Sequence, residues 1–77
     1  MTVIRYQLLE QTEVRLEVYN LLGEQVKTLV DEKQNAGEHK VAWDGSDDNG
    51  RPVASGIYLY SLRTKEFARS CKLALIR

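Results

Sequence analysis

A period of two governs this chain: apolar and polar residues alternate along most of it, which favours strands and leaves little room for helices. Ile4, Tyr6 and Leu8 alternate with Arg5 and Gln7, and this first strand ends near Leu9. After the polar break Gln11-Thr12, the residues Val14, Leu16 and Val18 alternate with Arg15, Glu17 and Tyr19. That is the pattern of a sheet with one face buried and one solvated. Asn20-Leu21-Leu22-Gly23-Glu24 reads as a hairpin connection, because Asn and Gly tolerate positive φ. A third strand is expected from about Gln25 to Val30, followed by a polar turn over Asp31–Gly37. A helix over Leu21–Lys33 is the competing reading, since Leu22, Val26, Leu29 and Val30 fall at helical spacing; Gly23 and the extended flanks argue against it.

Downstream, His39, Val41 and Trp43 share one face, with Lys40 and Ala42 on the other. Gly45–Pro52 gathers nearly every turn-forming residue type into one loop. Ile57–Arg63 is a strand with Tyr58, Tyr60 and Leu62 on one side, Thr64-Lys65-Glu66 a turn, and Phe67–Ile76 the last strand. Six to seven short strands joined by polar turns predict an all-β, antiparallel sandwich.

Composition narrows what such a sandwich can do. With 77 residues there is one domain's worth of chain, near the lower limit for a self-sufficient core. Eleven basic and eleven acidic side chains cancel, so no net field draws the chain to nucleic acid or anionic lipid. No apolar run approaches the roughly 20 residues of a helical membrane span, and residues 1–6 lack the pattern of a secretory signal.

Chemistry-bearing residues are sparse. Cys71 is the only cysteine and His39 the only histidine, so any Ser/His/Asp or Cys/His arrangement would have to pass through His39. Cys71 reads as a partly buried strand residue and His39 as a histidine at the edge of the core. Asp31-Glu32 and Asp47-Asp48 are sequence neighbours rather than a defined acid–base pair. Asp44, Asp47, Asp48 and Asn49 form a weak candidate calcium loop. With Gly50 at the sixth position of such a loop, Asp47 and Asn49 occupy ligand positions, but Gly45 and Gly56 stand where the strongest ligands belong. Turn formation is therefore the favoured reading of that loop. Trp43, Tyr58 and Tyr60 would make a stacking platform for sugar only if their rings were exposed; shared parity with Leu62 places the two tyrosines in the core. Nothing calls for a cofactor, and the chain reads as a non-enzyme.

Several segments, in order, carry a resemblance. Val14-Arg15-Leu16-Glu17-Val18-Tyr19-Asn20-Leu21-Leu22-Gly23-Glu24-Gln25-Val26 resembles the V-x-L-x-V-Y-N-x-x-G-x-x-V stretch of type IX secretion C-terminal sorting domains. The same stretch recurs in the related Ig-like domain of flagellar hook-capping proteins. Gly37-Glu38-His39 with Val41-Ala42-Trp43-Asp44-Gly45 is similar to the family's G-x-H-x-V-x-W-D-G segment. Asp48–Tyr58 resembles D-x-x-G-x-x-V-x-S-G-x-Y, and Lys72-Leu73-Ala74-Leu75-Ile76-Arg77 resembles the terminal motif of the sorting domains. The family's Asn-Pro-rich leading segment is not matched, and Cys71 stands where a basic or polar residue is usual.

The resemblance implies an Ig-like sandwich over residues 1–77, the C-terminal piece of a larger protein exported through the periplasm to the bacterial cell surface. It further implies a sorting signal recognised by outer-membrane secretion components, with Lys72, Leu73, Ala74, Leu75, Ile76 and Arg77 as the recognition residues. The alternatives are a structural Ig-like spacer, as in hook-capping proteins, and a carbohydrate-binding module. Free strand edges make a homodimer a further expectation.

Overall fold

In the computed structural model, which describes residues 1–76, the alternating segments form six strands: β1 (Thr2–Leu8), β2 (Thr12–Tyr19), β3 (Gln25–Gln34), β4 (Gly37–Trp43), β5 (Gly56–Arg63) and β6 (Ala68–Leu75). No helix occurs among them. All pairings are antiparallel. β1 and β4 make a two-stranded sheet, and β3-β2-β5-β6 a four-stranded one. The expected all-β Ig-like sandwich is the observed architecture, with six strands.

The core lies where the apolar parities of the two sheets meet. Ile4, Leu8 and Trp43 come from the small sheet; Val14, Leu16, Val18, Val30, Tyr58, Leu62, Leu73 and Leu75 come from the large one, and all are buried. Trp43 and Tyr58 pack edge to face with centroids 5.1 Å apart.

β3 begins at Gln25 as expected but departs from expectation in its length. It continues through Asp31–Gln34, so the polar turn shrinks to Asn35-Ala36. Those polar residues face β2 in register, Arg15 opposite Asp31 and Glu13 opposite Lys33. Complementary charges on a solvated strand look like a turn when read by composition alone. The helical spacing of Val26, Leu29 and Val30 also has a different origin. Val30 pairs with Leu16 but Thr28 with Glu17, and Lys27 pairs with Val18 but Gln25 with Tyr19. Leu29 and Val26 are thus the extra residues of two bulges, and both pack against the core.

The sandwich is open along the side where β1 meets β6. Near one end the two strands touch, and the Thr2 hydroxyl donates to the Ala74 carbonyl at 3.2 Å. Toward the other end lies a groove of about 700 Å³ between Arg5–Glu10 on one wall and Tyr60, Leu62, Phe67 and Arg69 on the other. β1 and β6 are each paired on one side, with β4 and β5 respectively.

Candidate functional site

The terminal strand is half core and half surface. Leu73 and Leu75 point inward and are 8% and 2% exposed, whereas Lys72, Ala74 and Ile76 face solvent. Arg77, the sixth residue expected to serve recognition, lies outside the described residues. Only alternate positions of the segment are therefore available to a partner while the domain stays folded.

The aspartate-rich loop spends its carboxylates on its own backbone. Asp44 Oδ1 accepts from the Ser46 amide at 3.0 Å and the Ser46 hydroxyl at 2.6 Å. Those bonds, the hydroxyl first, hold the Asp44 carboxyl below the usual carboxylate range. Asp47 Oδ1 accepts from the amides of Asn49 and Arg51 at 2.9 and 3.0 Å. Gly50, at φ 80°, closes this turn. Asp48 reaches to β3 instead: its amide donates to the Val26 carbonyl and its Oδ1 accepts from the Thr28 amide, both at 3.0 Å. Asn49 enters this scheme through its backbone. No cluster of three or more His, Cys, Asp or Glu side chains suited to a metal occurs among the described residues. The geometry of Asp44, Asp47, Asp48 and Asn49 is that of stacked turns rather than a calcium cage.

The aromatic platform does not form. Trp43 is fully buried, with Nε1 donating to the Ser46 carbonyl at 2.9 Å. Tyr58 is 8% exposed and donates its hydroxyl to the Ala54 carbonyl at 2.6 Å. Tyr60 is half-buried opposite Cys71, and a hydrogen bond with the Cys71 thiol, reinforced by burial, raises its phenol pKa. His39 stacks on Tyr6 at 5.3 Å, and its Nε2 lies 2.8 Å from the Asn35 carbonyl. The Tyr6 hydroxyl donates to Gln34 Oε1. Desolvation is the main cause that raises the Tyr6 phenol pKa. Trp43, Tyr58 and His39 each tie a strand to a neighbouring loop, whereas Tyr6 links β1 to β3 and Tyr60 links β5 to β6.

Two features escaped the sequence reading. The first is Glu17, on the outer face of β2 yet only 2% exposed. Its Oε1 meets Arg63 Nη2 at 3.1 Å, Arg15 Nε at 3.4 Å and the Tyr19 hydroxyl at 3.2 Å. Arg15 and Arg63 are cross-strand neighbours, and Glu17 bridges two like charges that would otherwise face each other.

The second is the β2–β3 turn. Asn20 Oδ1 accepts from the amides of Leu22 and Glu24, its Nδ2 donates to Glu24 Oε1, and Gly23 at φ 86° donates its amide to the Asn20 carbonyl. This rigid turn leaves Leu21 and Leu22 at 64% and 85% exposure. It stands at the end of the large sheet opposite the groove. Both leucine side chains therefore stand outside the core, held in place by the turn rather than by packing.

Comparison with known families gives one match, to the FlgD Ig-like domain, over residues 3–66. Comparison with curated proteins and with solved structures gave no match. The matched span runs from β1 to the β5–β6 turn and contains Asn20, Gly23, Trp43, Asp48, Gly50 and Tyr58, the residues that fix the turns and anchor the core. The chain belongs to the FlgD Ig-like domain family.

Proposed function

We propose that this chain is a structural Ig-like module that works by docking to protein rather than by catalysis. The observation that carries the reading is the family match over residues 3–66, within which the motif residues are spent on turns and core. Buried Trp43 and Tyr58 remove the basis for a sugar-binding platform. No helix among the described residues is long and apolar enough to cross a membrane.

A second reading, a sorting signal for outer-membrane secretion of an exported protein, draws support from the solvent-facing row Lys72, Ala74 and Ile76 at the end of β6. One experiment separates the two. The chain is fused to the C-terminus of a periplasmic reporter in a bacterium with type IX secretion, alongside a Lys72→Glu, Ile76→Asp variant. The structural reading expects both reporters to remain in the periplasm. Surface delivery of the first and retention of the second would replace it with the sorting reading.

A further inference from the structure

Of the three asparagines in the chain, Asn49 alone precedes a glycine. The other two are shielded. Asn20 Oδ1 accepts two amides, its Nδ2 donates to Glu24, and Leu21 follows it. Asn35 Oδ1 accepts from Gln11 Nε2 at 3.0 Å, and Ala36 follows it. Asn49 is exposed, and its side-chain amide has no hydrogen-bond partner among the described residues. Gly50 is exposed too, and even a Cβ there would meet no atom within 4 Å, so its nitrogen is open to approach. Asp44-Gly45 has the same spacing, but the Ser46 hydroxyl and amide hold the Asp44 carboxyl ionised, and a carboxylate is a poor electrophile.

We propose that Asn49–Gly50 is a site of spontaneous deamidation, gated by the Asp47 turn, and that its conversion uncovers the edge of β3. In the reaction the Gly50 nitrogen gives its proton to water or a buffer base and attacks Asn49 Cγ. A C–N bond forms, the side-chain nitrogen takes up a proton and leaves as ammonia, and a cyclic imide results. One water then adds to either imide carbonyl and opens the ring, giving aspartate or isoaspartate. The net change is hydrolysis of one amide, with no redox step. The folded turn opposes the attack. The Gly50 amide donates to the Asp47 carbonyl at 3.0 Å, and Asp47 Oδ1 holds the amides of Asn49 and Arg51 at 2.9 and 3.0 Å. Attack therefore waits for the turn to open, a local event that exposed loops undergo at low cost. Isoaspartate carries the main chain through the side-chain carbon and lengthens it by one methylene, so Gly50 and Arg51 no longer fit the two Asp47 acceptors. The same turn presents Asp48 to the Val26 carbonyl and the Thr28 amide, and loosening it frees a strand edge. The reaction needs no partner and is independent of what the module docks to.

Ageing the full chain in mildly alkaline buffer, followed by peptide mapping with mass spectrometry, tests the proposal. The amide-to-acid mass gain is expected at Asn49 ahead of Asn20 and Asn35, and more slowly in the folded chain than in the chain unfolded by urea. Asp47→Ala removes the side-chain acceptor and is expected to speed conversion of the folded chain about five- to thirtyfold, the factor that one or two lost hydrogen bonds allow. Asp47→Asn keeps an acceptor oxygen and is expected to stay close to the wild-type rate. Far-UV circular dichroism checks that both variants fold. The converted fraction, separated by its added negative charge, is expected to exchange the Thr28 amide faster, with the amides of β2 and β5 unaffected. An intact Asn49 in the aged folded chain, earlier conversion of Asn20 or Asn35, or equal rates in the folded and unfolded chains would overturn the proposal. So would an Asp47→Ala rate no faster than that of Asp47→Asn, or unchanged exchange at Thr28.

Discussion

A carboxylate that is 2% exposed on the solvent side of a sheet has to be compensated by its neighbours, and Glu17 is compensated by three. The guanidinium groups of Arg15 and Arg63 are 53% exposed, so water screens part of their attraction to Glu17. Their larger debt to it is mutual: without a negative charge between them, two arginines on paired positions repel. Glu17→Gln keeps the shape and the acceptor oxygen but removes the charge. Its unfolding free energy is expected to fall by about 1.5–3 kcal/mol, the cost of a lost charged hydrogen bond and below that of breaking a fully buried pair, because the arginines stay partly in water. Urea titration checks this: the midpoint should drop with the slope unchanged, and Arg63→Ala in the Glu17→Gln background should recover part of the loss by removing the repulsion.

At the scale of elements, the exposed edge of β3 shows how the fold protects itself. An edge strand offers unpaired amides and carbonyls to any other strand. Here the loop after β4, closed on itself by the Ser46–Pro52 bridge, covers part of that edge: the Asp48 amide donates to the Val26 carbonyl, and Asp48 Oδ1 accepts from the Thr28 amide. Asp48→Ala is expected to cost about 1 kcal/mol. Its signature is local, a rise in hydrogen exchange at the Thr28 amide with the amides of β2 and β5 unaffected. The loop's role was only partly legible in the sequence. Asp, Asn and Gly announced turns, but that Asp48 would face β3 depends on how the two sheets stack. The other strands were legible because one face of each is core and the other is wet. β3 was legible from Gln25 to Val30, although two bulges shift the parity that brings Val26 and Leu29 inward, but its end was missed because Asp31–Gln34 is too polar to signal a strand without its partner in view. Glu17 was hidden for a related reason. Its burial comes from Arg63, 46 residues away, placed beside it by the β2–β5 register.

For the molecule as a whole, the same strand supplies both the terminal motif and part of the wall of the core, and this limits how its function can be probed. Domains of this size are stable by about 4–12 kcal/mol, at 0.05–0.15 per residue. Deleting residues 72–77 removes Leu73 and Leu75, each worth about 1.5–3 kcal/mol of burial, together with the β5–β6 ladder from Leu59↔Lys72 to Gly56↔Leu75. It also strips Ile57 and Leu59 of a neighbour and turns the end of β5 into a new edge. The summed loss is comparable to the total stability, so the truncated chain is expected to lack a cooperative urea transition and to lose its strand signal in circular dichroism. Replacing only the outward side chains, with Lys72→Glu and Ile76→Asp, leaves Leu73 and Leu75 in place and is expected to change stability by less than about 1 kcal/mol. If the truncated chain instead unfolds cooperatively near the wild-type midpoint, β6 is an appendage and the core closes without it. If it collapses as expected, loss of any activity on truncation reports unfolding, and only the surface substitutions can tell whether the end of β6 is read by a partner.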